Sequence, residues 1–178
     1  MSLLVVGTDG PVARALEDVP PPATPSAIAD AVAAGAPSEL AVVTLPAPAG
    51  PVGALGPDAF ADLLEQALTP AFTALALVAR SGRPVRVAVV CPAGAVLPDH
   101  LDGARSVVGA GLAMLAEVAS ASPGLTANVV AVADDAPAEE VAQAVRFALA
   151  QPGLNGATIR LDGGRDAVLA AETRAEGD

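Results

Sequence analysis

The stretch Asn155-Gly156-Ala157-Thr158-Ile159-Arg160-Leu161-Asp162-Gly163-Gly164 decides how the chain is read. Its centre, residues 157–161, mixes β-branched and apolar side chains. It is bounded by Asn-Gly on one side and Asp-Gly-Gly on the other, so it reads as a short strand between two turns. Just upstream, residues 137–151 carry a helical pattern. Asp134 or Asp135 is placed to cap that helix, Pro137 stands in its first turn, and Glu139 and Glu140 face the positive end of its dipole. Pro152-Gly153 then stops it. A valine-rich run, residues 126–132, precedes the helix, and strand, helix and strand together make a βαβ unit.

Working outward, residues 3–7, 40–45 and 85–91 also read as strands. None alternates strictly between apolar and polar, as expected for a parallel sheet covered on both faces. Helical patterns fill the intervals at 12–18, 26–34, 58–81 and 102–121. The predicted fold is α/β, a Rossmann-like doubly wound, mainly parallel sheet of about five strands with right-handed crossovers. Residues 19–37 are the weakest stretch, with Pro20-Pro21-Pro22 and Pro25 leaving room for one short helix. The chain reads as one domain, residues 1–164, followed by a charged tail, residues 165–178, that is either frayed or docked on a partner.

Composition removes much chemistry. The 178 residues include no tyrosine, tryptophan or lysine, and all nine basic residues are arginines. Phenolic acids, Schiff-base amines and a P-loop lysine are therefore excluded. One histidine and one cysteine rule out a four-ligand zinc site made by the protein alone. The net charge of −11 argues against nucleic acid as a partner and could steer a basic protein. The longest apolar stretch, residues 67–79, is broken by Thr69, Pro70 and Thr73 and falls short of the ~20 residues that span a bilayer. No membrane partner is expected, and a lone Cys91 without an N-terminal signal pattern points to the cytoplasm.

Residues 155–164 resemble the final strand and turn of the short-chain dehydrogenase/reductase (SDR) family. Glu140-Val-Ala-Gln-Ala-Val-Arg-Phe-Ala-Leu is similar to that family's last helix, and Ala127-Asn128-Val129-Val130 to its sixth strand. Residues 58–72, ending Leu68-Thr69-Pro70-Ala71-Phe72, resemble its long fourth helix. The likeness spans residues 40–164 in the family's order.

The resemblance implies a catalytic tyrosine made acidic by a lysine four residues on, a serine about thirteen residues before the tyrosine, and a helical asparagine. Registering the fifth helix on Leu112-Ala-Met-Leu115 puts Arg105 at the tyrosine and Gly109 at the lysine. The serine falls on Pro92 and the asparagine on Ala67, so all four roles are vacant. The family's glycine-rich phosphate turn corresponds to residues 7–13. Gly7 and Gly10 survive there, but Pro11 and Ala13 stand for later glycines, Pro11 removes an amide donor, and Asp9 sets a negative charge beside an anionic ligand. The family's second and third strands are missing, Val43-Thr44-Leu45-Pro46 replaces its Asn-Asn-Ala-Gly, and no substrate lid follows Val132-Ala133. No NAD(P) or other cofactor is expected.

Other residues invite sharper readings. Cys91 and His100 could form a thiol–imidazole pair oriented by Asp99 or Asp102, against the plainer reading of a buried thiol and a loop histidine. Asp134, Asp135, Glu139 and Glu140 could hold a hard cation, although helix-end charges need none. Arg105 could clamp a carboxylate or an acyl-CoA phosphate, or be a surface or interface arginine.

Family members pair through the fourth and fifth helices, and here these are the longest helical segments, the second apolar on more than one side. Phe72, Val107, Val108, Gly111, Leu112 and Leu115 are the candidate interface. The loss of two strands would also leave residues 3–7 at a sheet edge. The expected function is therefore a non-catalytic, truncated SDR-like subunit, a structural or regulatory partner of itself or of a full-length active SDR. The alternatives are a divergent enzyme on the same scaffold that does without NAD(P), using Arg105, Asp102 or His100, and a small-ligand or acyl-binding module.

Overall fold

Valine dominates the interior. β3 (Val85–Pro92) and β4 (Leu125–Val132) are buried on both faces for most of their length, as β-branched runs in a covered parallel sheet should be. β1 (Leu3–Gly7), β2 (Glu39–Val43) and β5 (Thr158–Leu161) complete a sheet of order β1-β2-β3-β4-β5, in which every pairing is parallel. The coordinates are those of a computed structural model, which describes residues 2–17, 21–35, 37–45, 50–95 and 103–164. The tail at 165–178 lies outside them. Each predicted strand is present, and β1 occupies the sheet edge as expected.

The helices are α1 (Pro11–Leu16), α2 (Pro25–Gly35), α3 (Pro57–Arg80), α4 (Gly103–Ser120) and α5 (Ala138–Ala150). Ile28 of α2, Ala71, Ala74 and Val78 of α3, and Val108, Leu112 and Ala116 of α4 pack on one face of the sheet, against Leu40, Val42, Val87, Val89 and Ala127. Ala13 and Leu16 of α1 and Val141, Val145 and Leu149 of α5 cover the other face, against Ala41, Val43, Ala88, Val90 and Val130.

This division corrects the expectation of uniformly right-handed crossovers. Each step from β2 to β5 advances one strand in the same direction, yet α3 and α4 lie on one face and α5 on the other. The β4–α5–β5 crossover therefore has the opposite hand to the two before it. The physical reason is coverage. With α2, α3 and α4 together on one face, an α5 beside them would leave the second face only the six residues of α1.

A second correction concerns the start of α5. Neither Asp134 nor Asp135 caps it; Pro137 is the N-cap and no side-chain cap bond is made. Asp134 is engaged elsewhere, as described below.

Two asparagines pin the reversed crossover. Asn128, almost fully buried in β4, donates from Nδ2 to the Leu154 carbonyl and accepts at Oδ1 from the Ala157 amide, both at 3.0 Å. Asn155 accepts from the Ala127 amide and donates to the Ser120 carbonyl, again at 3.0 Å. The loop before β5 is thus tied to β4 and to the end of α4 by side-chain amides. Replacing Asn128 with Ala strands a backbone donor and a backbone acceptor, and should cost about 2–3 kcal/mol. Urea denaturation followed by circular dichroism measures the loss.

Candidate functional site

In parallel α/β sheets, ligands gather beyond the carboxyl ends of the strands. Here that region is built by the end of β3, the 3-10 turn Ala93–Ala95, the first turns of α4, and the turn after β4. Pro92 closes β3, and Ala104, Arg105, Ser106 and Gly109 are buried in α4. A Cβ on Gly109 would stand 3.0 Å from the Ala95 Cβ and 3.3 Å from the Pro92 Cδ, which is tighter than ordinary van der Waals contact. A Cβ on Gly94 would lie 2.6 Å from the Ser106 Oγ. Glycine at 94 and 109 therefore lets the turn and the helix close on each other. The structure brings Pro92, Arg105 and Gly109 to one place, and Pro92 and Gly109 lie face to face. Ala67 is buried within the core beneath α3.

Arg105 is neither on the surface nor held across an interface; it is 8% exposed. Its Nη1 donates to Asp134 Oδ1 in an ion pair that joins the start of α4 to the turn after β4. The pair is lopsided: the arginine side chain is 9% exposed and the aspartate 61%.

The turn after β1 is occupied by the chain itself. Gly7 has φ 123°, and a Cβ there would lie 2.3 Å from the Val43 carbonyl oxygen, so only glycine fits. Its amide donates to the Pro22 carbonyl at 3.1 Å, and the Thr8 amide donates to Val43 at 2.8 Å. Gly10 is the N-cap of α1 and offers no side-chain cap, while Pro11 begins a helix of only six residues and contributes no N–H. Asp9 is locked in a two-pronged pair with Arg14, at 3.0 and 2.9 Å. The bond from Arg14 holds its carboxyl below the usual carboxylate range. Ala13 is buried in the core against α5.

Cys91 does not suit nucleophilic work. It is fully buried, and desolvation pushes its thiol up to about 12, so the thiolate is suppressed near neutral pH. His100, Asp99 and Asp102 lie outside the described residues. Among the described residues, Asp134, Asp135, Glu139 and Glu140 do not gather into a metal-sized group.

The candidate interface divides in two. Val108 and Leu112 are 0% exposed and belong to the core, so they present nothing to a partner. Phe72 and Val107 are exposed at 60% and 51%, and Met114 and Val118, which the sequence reading did not single out, at 57% and 61%. Leu115 is half-buried at the margin of a small apolar groove of about 130 Å³ between α3 and α4, lined also by Phe72, Leu75 and Val118. Gly111 lets the helices approach, for its Cβ would stand 3.2 Å from Leu68.

Solved structures share this backbone. An oxidoreductase of the short-chain dehydrogenase/reductase family from Burkholderia thailandensis superposes with a TM-score of 0.80 at 19% identity, over 98% of this chain and 97% of the other. This is an SDR-like fold. The short-chain dehydrogenase/reductase from Serratia marcescens matches with a TM-score of 0.74 at 18% identity, over 92% of this chain and 96% of that one. No protein-family model matches the sequence, and no curated protein is significantly similar to it. The SDR likeness is thus one of backbone path, and fold alone does not carry chemistry. Among the described residues no helix is long and apolar enough to cross a membrane.

The sequence reading missed the partner of Arg105. Its signal was topological: an aspartate just after β4 and an arginine in the first turn of α4 both fall at the carboxyl end of the sheet. Putting lysine at position 109 tests how closed this region is. In an open site, Gly109→Lys would stabilise the helix by about 1 kcal/mol. Overpacking against Pro92 and Ala95 should instead destabilise the fold by about 1–3 kcal/mol, read as a lower thermal midpoint.

Proposed function

We propose that the chain is a non-catalytic SDR-like subunit that works through assembly, pairing by α3 and α4 with a second copy or with an active SDR. The observation that carries this reading is the packing at the carboxyl end of the sheet. The positions that the SDR resemblance assigns to serine, tyrosine and lysine hold Pro92, Arg105 and Gly109, and a side chain at 109 would collide with Ala95 and Pro92. None of the three can pass a proton to a substrate near neutral pH: proline and glycine carry no titratable side chain, and arginine stays charged.

The residues present do not fit a dinucleotide. Pyrophosphate needs free amides at the first turn and a helix N-terminus behind them. Gly7 and Thr8 give their amides to Pro22 and Val43, Pro11 has none, and Asp9 is held ionised by Arg14. An anionic ligand would meet a carboxylate where it needs donors, so no hydride step is derived for this chain.

Assembly is supported by the helices. Val107, Gly111, Met114 and Val118 follow a 4-3-4 spacing along the outside of α4, the seam that coiled helices use, and Phe72 adds to it from α3. Exposed large apolar side chains gathered in one patch mark interaction surfaces. Along α3 the outward stripe runs Asp58, Asp62, Glu65, Thr69, Phe72, Ala76 and Arg80. An antiparallel partner helix centred near Phe72 would set the acidic end of one copy against Arg80 of the other, which favours self-pairing.

Sedimentation velocity tests the assembly directly. The wild-type chain, alone or with a co-expressed full-length SDR, should sediment as a complex. Met114→Glu with Val118→Glu should release a folded monomer, since both side chains stand in solvent. A wild-type monomer that forms no complex with either partner would overturn the proposal.

A further inference from the structure

We propose that Arg105 is a binding position for small carboxylates that the chain keeps closed with its own Asp134, whose carboxylate stands where that of an external ligand would sit. A buried guanidinium stays charged and must be paired, because an uncompensated buried charge is very costly. A permanent structural pair would have both partners in the interior. Here one partner is fixed and the other is not. Arg105 is held in the first turn of α4 between buried Ala104 and Ser106, with its side chain 9% exposed. Asp134 comes from a turn, with its side chain 61% exposed, and makes no cap to α5. If Asp134 swings away, its carboxylate passes into water at little cost, whereas Arg105 cannot follow it. The guanidinium then requires another carboxylate in the same place.

The location agrees with the chemistry. Arg105 lies beyond the carboxyl ends of β3 and β4, the side of a parallel sheet where ligands are bound. A guanidinium also matches a carboxylate better than it does a spherical anion. The tethered Asp134 competes at an effective concentration on the order of millimolar or above. A bare carboxylate should therefore bind the wild-type chain poorly, and opening requires a ligand with contacts beyond the carboxylate. The inference stands apart from the loss of catalysis, since it concerns binding alone.

Acetate is the probe, titrated against chloride at constant ionic strength, with thermal midpoint and calorimetric heat as readouts. Asp134→Ala removes the internal competitor and should show saturable stabilisation by acetate, with apparent affinity at least tenfold above wild type. Asp135→Ala, its neighbour on the same turn, should behave as wild type. Arg105→Gln in the Asp134→Ala background should lose the acetate effect. Should that double variant fail to fold, Asp134→Arg serves instead: it places a like charge beside Arg105, and added acetate should rescue part of its lost stability. No saturable acetate response in Asp134→Ala, or one equal to that of wild type or of chloride, overturns the proposal.

Discussion

Helix α4 can lie as close to the end of β3 as it does because position 109 carries no side chain. A single Cβ there would meet Ala95 at 3.0 Å and Pro92 at 3.3 Å, so glycine sets the spacing between the helix and the turn that follows the strand. Much else depends on that approach. It brings Arg105 inward to meet Asp134, and it lets Ser106 settle over Gly94. On its outer side the same helix meets α3 through a second close contact, Gly111 against Leu68. The two helices then present Phe72, Val107, Met114 and Val118 to solvent together. Closure at the sheet's carboxyl end and an apolar outer seam thus belong to one helix.

The strands were legible because valine runs bounded by proline and glycine have few other readings. The edge position of β1 followed from counting strands. The hand of the last crossover was not legible, because no local pattern records which face of a sheet a helix will choose; that depends on which face the other helices leave bare. The interface was half legible. The α4 sequence is apolar all round, so periodicity shows two apolar faces without showing which one meets the sheet. Val108 and Leu112 went to the core, while Met114 and Val118 turned outward.

Asp134 shows a different kind of limit. Beside an α-helix, an aspartate reads as a cap from local sequence alone, and the helix did without it. A buried arginine 29 residues away had the stronger claim, since an unpaired guanidinium in the interior costs more than an uncapped helix end. In the same way, Asn128 and Asn155 stood in the sequence only as parts of a pattern. Folding gives them a definite task, holding the β4–β5 connection by side-chain amides that a linear reading cannot pair.

The account centres on an SDR-like scaffold whose nucleotide turn and catalytic corner have been filled by the chain itself. Calorimetric titration of the purified, oligomeric protein with NADH and with NADPH tests that most directly. The account predicts no saturable heat with either nucleotide up to millimolar concentration. Stoichiometric binding in the micromolar range by either one would contradict it.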